Sequence, residues 1–459
     1  MRCFFCLAIV AAICGTVITS CNTDDVMFTV SFNSNEGSAV LPQTVKEGEK
    51  AIKPDDPERN GHIFAAWYKE AGLINEWEFN TDVVIADMTL YAKWINGYTV
   101  SFDSNGGSAV LPQTVKEWQR IIRPEDPTRS GYLFASWYSE PELRYQWDFY
   151  ANMVDADMTL YAKWNMIDPL FKISGLTLDN YPRVDGSTSA APLNVLFACK
   201  LLDIGYDWAI SPVSNMRELE PNLTNNAEKF WEKIKSSQTH ESFINLIDNK
   251  TDLILSAREM SSDEKAYADA SGVSLIETPI ALDALIFIVH PSNPVQSLTV
   301  KQIQAIYTGE ITNWKEVGGA DAKINPYIRN ANSGSQELME SVVMKGLDMA
   351  DFPVSYPELY INSMIGVFDM VIRDPNAIGY TIHYYKEQII FGIPVKTISV
   401  DDIYPNKESI GNGTFPFVAD VLAVIRSDLD QSSMASKLHE LLQTEAGKKV
   451  IAESGYVPN

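Results

Sequence analysis

Three short segments in the second half of the chain combine small hydroxylated residues with the start of an amphipathic pattern, a grouping suited to holding an anion. The first is Asp185-Gly186-Ser187-Thr188-Ser189-Ala190-Ala191-Pro192-Leu193. Unpaired N–H groups and the positive end of the dipole gather where a helix starts, and Ser187, Thr188 and Ser189 add hydroxyl donors. The second, Arg329-Asn330-Ala331-Asn332-Ser333-Gly334-Ser335-Gln336-Glu337, puts a permanently charged planar guanidinium ahead of another such start. Charge-assisted hydrogen bonds contribute about 1.5–3 kcal/mol each and a helix terminus about 0.3–1, so Arg329 should set affinity and the dipoles refine it. The third, Lys235-Ser236-Ser237-Gln238-Thr239-His240-Glu241, also precedes an apolar helical pattern and offers Thr239 and His240. Taken singly, each segment has a plainer reading, because Ser or Thr before a helix is commonly just an N-cap.

The elements that must position these segments follow an α/β rhythm. Strand-like runs (DLILSA, DALIFIVH, AIGYTIHYY) alternate with helix-like runs (APLNVLFACKLL, TVKQIQAIYTG, SQELMESVVMKGL, SMASKLHELLQTEAGKKVIAE), which predicts open sheets flanked by helices, in a length that suits two lobes. The whole chain, 459 residues, is too long for one core. Its 46% hydrophobic and 21% charged content is that of folded globular material. With 60 acidic against 36 basic residues, net −24, a general attraction to nucleic acid or anionic lipid has the wrong sign, so an anion must be held by a local cluster. Screening over about 8 Å lets such a cluster act independently of a distant acidic surface. Catalysis has little support. No Gly-x-Ser-x-Gly elbow or P-loop occurs, and His62, His240, His290, His383 and His439 show no metal-ligand spacing. Binding without metal or cofactor is the expectation.

The first half reads differently. Arg2 and an apolar run from Cys3 to Ile18 have the length of a signal h-region and are too short to span a bilayer comfortably. The remaining cysteine beyond Cys21 is Cys199, within LFACK, where a small buried hydrophobe is the expected role. Then a stretch repeats itself: TVSFNSNEGSAVLPQTVKE from Thr29 aligns with TVSFDSNGGSAVLPQTVKE from Thr99, and both copies end in MTLYAKW, at Trp94 and Trp164. Two successive copies of one strand-dominated module follow, each opening with a hairpin and each burying its own core. The fixed Trp and Tyr positions could form a ligand platform, or a compact aromatic core.

Three resemblances rest on these residues. Ile18-Thr19-Ser20-Cys21 resembles the lipobox of bacterial lipoproteins, which implies a signal peptide at 1–20, lipidation of Cys21 and a membrane anchor; Asp24 and Asp25 by the same likeness hint at surface display. The repeat resembles the Listeria-Bacteroides repeat through V-x-F-x-S-N-x-G, then G-x-x-F-x-x-W-Y and LYAKW, implying β-grasp-like modules at 27–95 and 97–165. After a linker at 166–177, residues 178–459 resemble the phosphate-binding proteins of ABC transporters, in the type II periplasmic-binding-protein superfamily. The markers are DGSTSAAPL, TDLILSAREMSSDEK, LTVKQIQAIYTGEITNWKEVGG, RNANSGSQE and NAIGYTIHY. The likeness implies ligand between two lobes, contacted by Thr188, Ser189, Thr239, Arg329, Ser333, Gly334 and Ser335, the last in place of the usual Thr. Ser187, His240 and Arg258 are further candidates. One departure concerns selectivity: phosphate binders often carry an Asp after the strand read here as Asp252 to Ser256, to accept the proton that phosphate has and sulfate lacks, and here Ala257 and Arg258 follow. Arg258 could enter the cleft, or face solvent beside Glu259; Asp185 or Glu337 could stand in as proton acceptor.

Two functions are expected from different classes. One is a lipid-anchored cell-envelope protein that captures phosphate or a similar oxyanion by closure of two lobes and passes it to an ABC permease. The other is an adhesion or interaction protein in which the repeats engage a surface partner and the α/β domain is a docking module.

Overall fold

The computed structural model describes residues 25–211, 216–223, 226–331, 333–350 and 364–459. The signal segment and Cys21 lie outside the described residues. Within the first repeat, Met27–Asn33 pairs antiparallel with Gln43–Lys46, the expected hairpin, and parallel with Met88–Asn96, whose other edge takes His62–Tyr68. The second repeat has the same strand order, Gln113–Val115, Tyr98–Asp103, Met158–Met166, Tyr132–Tyr138. In the first repeat Trp67 and Trp77 go to the core, while Trp94 is partly buried against it. Trp67 is buried with Val30, Val84, Leu90 and Ala92, and Phe32 meets it edge-on at 4.9 Å.

The chain divides into two compact units. One holds the first repeat with parts of the second; the other holds Phe102–Val110, Pro124–Trp147 and Leu160–Asn459. Inside this second unit the repeat grips the α/β domain through a buried carboxylate. Asp207, on the strand Tyr206–Ile210, accepts from the Tyr138 hydroxyl at 2.5 Å and from Lys163 Nζ at 2.6 Å. Burial, then the neighbouring Asp207 charge, pushes the Tyr138 hydroxyl far above its ordinary pKa, so it stays a donor. The 166–177 stretch is packed against the same body: Phe171 is fully buried against Phe197, a burial that contributes about 1.5–3 kcal/mol.

The α/β domain is two-lobed because one strand serves two sheets. Leu275–Val289 is 15 residues long. Its first part, to Ala284, pairs with Val418–Arg426, which pairs in turn with Leu253–Ser256 and through it Val184–Gly186. From Leu285 onward the same strand pairs with Ala377–Ile382 and Lys396–Val400. The helices Ala191–Leu201, Thr239–Ile247, Met434–Leu442 and Glu445–Ser454 belong to the first lobe's chain segments; Val300–Tyr307, Gly334–Leu338 and Gly366–Arg373 belong to the second's. The expected run SMASKLHELLQTEAGKKVIAE is split in two where Thr444 caps the second helix by accepting from Gly447 N.

At the crossover sits Asp283, buried, accepting from Ala284 N at 2.8 Å and Tyr384 N at 3.0 Å while its Oδ2 has no partner among the described residues. It thereby ties the shared strand to the chain leaving Ala377–Ile382. Burial pushes its carboxyl up to about 7. The unfolded carboxyl titrates near 4, so the native state holds a proton that the unfolded state has released, and the stabilisation present below about pH 4 is lost as pH rises to about 7. Asp283→Asn is expected to remove that slope and to raise Tm at pH 8 by several degrees, with little change at pH 4, measured by thermal unfolding; a wild-type-like pH profile would contradict this placement.

Candidate anion-binding cleft

All three hydroxyl-rich segments reach one cleft of about 690 Å3 inside the second unit. The strand Val184–Gly186 feeds a single 3-10 turn, Thr188–Ala190, before the helix Ala191–Leu201, and Pro192 occupies that helix's first turn. Ser187 is the joint. Its Oγ lies 2.9 Å from Thr239 Oγ1 and accepts from Ala257 N at 2.9 Å, drawing together segments more than fifty residues apart. Asp185 does the same for the third segment, accepting from Gly186 N and Ser237 N at 2.8 Å and from Asn245 Nδ2 at 3.1 Å. With those donors on both oxygens, Asp185 is a strut, not the stand-in proton acceptor considered from sequence.

Gln238 enters the helix Thr239–Ile247 at φ 71°, ψ 165°, a region that is essentially glycine's. Strain of this kind persists where the surroundings over-determine it, and here Ser237 N and Thr239 Oγ1 are both fixed. From the opposite lobe come Arg329 and the helix Gly334–Leu338, capped by Ser333, whose Oγ accepts from Gln336 N. The Arg329 backbone is anchored, its N–H donating to Gln336 Oε1 at 3.1 Å and to the Tyr380 hydroxyl at 3.0 Å. The lobes meet closely at Gly334: a Cβ there would stand 2.8 Å from Thr239 Oγ1, so any larger residue would push the two walls apart.

Thr188, Ser189, Thr239, Arg329, Ser333, Gly334 and Ser335 therefore line one cleft, together with Ser187 and His240. Ser189 is buried at the cleft, and its Oγ has no partner among the described residues. Burial lowers the Arg329 pKa from its ordinary value. Ser236, Gln238 and Asn330 also line the space, as do Met216, Met364, Ile382 and Tyr385. Ile382 and Tyr385 belong to the AIGYTIHYY run singled out in the sequence, whereas Met216 and Met364 come from segments that carried no signal there.

Arg258 adopts neither placement weighed from sequence. It is buried, and its NH1 and NH2 each donate to Glu264 at 2.7 Å, with NH1 also donating to the Glu259 carbonyl. Burial alone would raise the Glu264 pKa; the Arg258 hydrogen bonds and charge outweigh it, and the carboxyl ends below its ordinary value. Glu264 also receives His240 Nδ1 at 2.9 Å, so the histidine at the cleft wall is oriented from behind. Glu337 is half-buried, its carboxyl raised mainly by burial, and it is not among the residues lining the cleft. Among the described residues, Glu241 is the one carboxylate that does, and it is exposed.

With this geometry in hand, comparison with known proteins places the parts. Residues 219–443 match the PBP superfamily domain, and residues 28–93 and 98–163 match the Listeria-Bacteroides repeat domain. The chain thus carries a periplasmic-binding-protein superfamily domain behind two Listeria-Bacteroides repeats. Its relatives include the phosphate-binding protein PstS of Borreliella burgdorferi, 28% identical over 264 residues, which are 56% of this chain and 90% of that protein. The Bacillus subtilis phosphate-binding protein PstS is 24% identical over 201 residues, 44% and 62% of the two chains. A putative Gly-rich membrane protein of Evansella cellulosilytica is 45% identical over 140 residues, 30% of this chain, which spans only 16% of that relative. Among solved structures, a putative phosphate ABC transporter substrate-binding protein with bound phosphate from Clostridium perfringens is 25% identical, covers 60% of this chain and 98% of its own, and has a TM-score of 0.43.

Two outcomes check this construction. Gln238→Gly is expected to stabilise the protein by about 1 kcal/mol by relieving backbone strain, read as a shift in denaturant midpoint at unchanged slope. Glu264→Gln is expected to destabilise by about 3 kcal/mol, because it leaves the Arg258 charge buried with a weaker partner; a loss under about 0.5 kcal/mol would show the pair to be dispensable.

Proposed function

We propose that this chain is an extracytoplasmic solute-binding protein that captures a small oxyanion, phosphate first, between the lobes of its periplasmic-binding-protein domain. The observation that carries the reading is the convergence of Arg329, the Ser333–Ser335 turn, Thr188, Ser189 and Thr239 on one cleft from two lobes sharing the strand Leu275–Val289. The names of the Borreliella and Bacillus relatives support phosphate as the ligand; an ABC permease would be the receiving partner. Lipidation of Cys21 would hold the protein at the cell envelope, where the multiple acyl chains of a lipoprotein cysteine supply stable anchoring. The repeats would then act as a spacer on the membrane side or as a contact for a surface partner; the Evansella relatives, described as membrane proteins, match over a stretch of the repeats' length and favour an envelope setting. The role is capture: the cleft offers donors to hold a charged ligand.

Binding energetics follow from the lining. Ala257 presents a methyl where a carboxylate would reject a fully deprotonated oxyanion, so discrimination between phosphate and sulfate should be weak. Calorimetry on the full chain is expected to show saturable heat with phosphate, with sulfate binding within about tenfold. Arg329→Ala should weaken phosphate binding about 10- to 150-fold, the worth of a charge-assisted hydrogen bond. No heat with phosphate, sulfate or organic phosphates would overturn the reading.

A further inference from the structure

The two repeats differ at one place where the difference changes chemistry. In the first, Arg59 forms an ion pair with Glu36. In the second, the matching arginine is Arg129, but Gly106 stands in the place of Glu36 and Tyr132 in the place of His62. The backbone there is alike, φ +84° at Gly106 and 71° at Glu36, so the second repeat keeps the turn and lacks the carboxylate. A Cβ on Gly106 would lie 3.7 Å from Arg129 Nε, which is where the missing acid would have begun. Arg129 instead lies over the Tyr132 ring at 4.1 Å, with the Trp164 ring at 6.0 Å. Among the described residues no carboxylate pairs with it.

This guanidinium faces a groove of about 950 Å3 that lies wholly within the second unit. Arg129, Tyr132 and Trp164 contribute one part of its lining, and Leu176 of the 166–177 stretch with Leu178 and Leu202 of the α/β domain another. The acids at its border are already engaged: Asp126 accepts from Asn222 Nδ2 at 2.8 Å, and Asp203 pairs with Lys172. The groove thus offers a cation that lacks the carboxylate partner its counterpart Arg59 has, aromatic faces beside it and aliphatic surface beyond.

We propose that this groove is a second binding site, for a small organic monoanion with a flat apolar body. A planar guanidinium grips a carboxylate or sulfonate through two parallel hydrogen bonds, while the rings and leucines take the body of the molecule. Its volume is that of a small-molecule site.

The test uses the full chain in saturating phosphate, which keeps the interlobe cleft out of the readout. Fluorescence titrations compare 8-anilino-1-naphthalenesulfonate with its neutral analogue N-phenyl-1-naphthylamine. The expected result is saturable one-site binding of the sulfonate, about tenfold or more tighter than the neutral amine. Arg129→Ala should abolish that preference. So should Gly106→Glu, which restores the ion pair that the first repeat already accommodates on the same backbone. Glu36→Gly in the first repeat should leave it unchanged. Non-saturable sulfonate binding, or retention of the preference in either Arg129→Ala or Gly106→Glu, overturns the proposal.

Discussion

Everything at the cleft depends on a buried hydroxyl. Ser187 Oγ is shared between Thr239 Oγ1 and the Ala257 amide, so the turn after the first strand, the start of the helix Thr239–Ile247 and the end of Leu253–Ser256 are fixed to one point. Asp185, one residue upstream of Gly186, repeats the device with the Ser237 amide. Groups buried in this way must be paired, since an orphaned donor or acceptor costs about 1–3 kcal/mol. That requirement gives one wall of the cleft a single geometry. It also lets the wall carry strain at Gln238 and an unpaired hydroxyl at Ser189, because neighbours hold both in place.

The second wall is set by a different constraint. Leu275–Val289 belongs to both sheets, so the lobes cannot separate without bending a strand whose hydrogen bonds change partner at Ala284 and Leu285. Asp283 sits at that change and binds the backbone of Tyr384, whose ring stacks on Tyr456 at 3.6 Å. Arg329 and the Ser333–Ser335 turn are thereby brought opposite Thr239, close enough that Gly334 leaves no room for a side chain.

Electrostatics are local throughout. Net charge −24 does not preclude holding an anion, because the cleft wall is built from hydroxyls, amide donors and the Arg329 guanidinium, while buried acids such as Asp185 and Glu264 are occupied elsewhere. Arg258 shows the distinction. Its sequence context leaves it in the cleft or in solvent beside Glu259, yet Glu264 takes its guanidinium in the interior, and the pair orients His240 instead. The second repeat shows the reverse: with glycine at position 106, Arg129 lies over the Tyr132 ring beside a groove.

The duplication, the strand-rich modules, the α/β rhythm and the anion-type segments were all legible along the chain, because each is a local pattern of residue type and spacing. Period-two runs become strands, apolar stripes become helices, and Ser or Thr ahead of them leaves amide groups exposed at helix starts. What the sequence could not decide was pairing across long separations. Whether Arg258 meets Glu264, Glu259 or an anion, whether Asp185 braces a loop or accepts a proton, and how Asp207 joins the second repeat to the α/β domain depend on which buried charges find each other. The cost of burying a charge without a partner selects among those alternatives, and that cost exists only once the tertiary structure has excluded water.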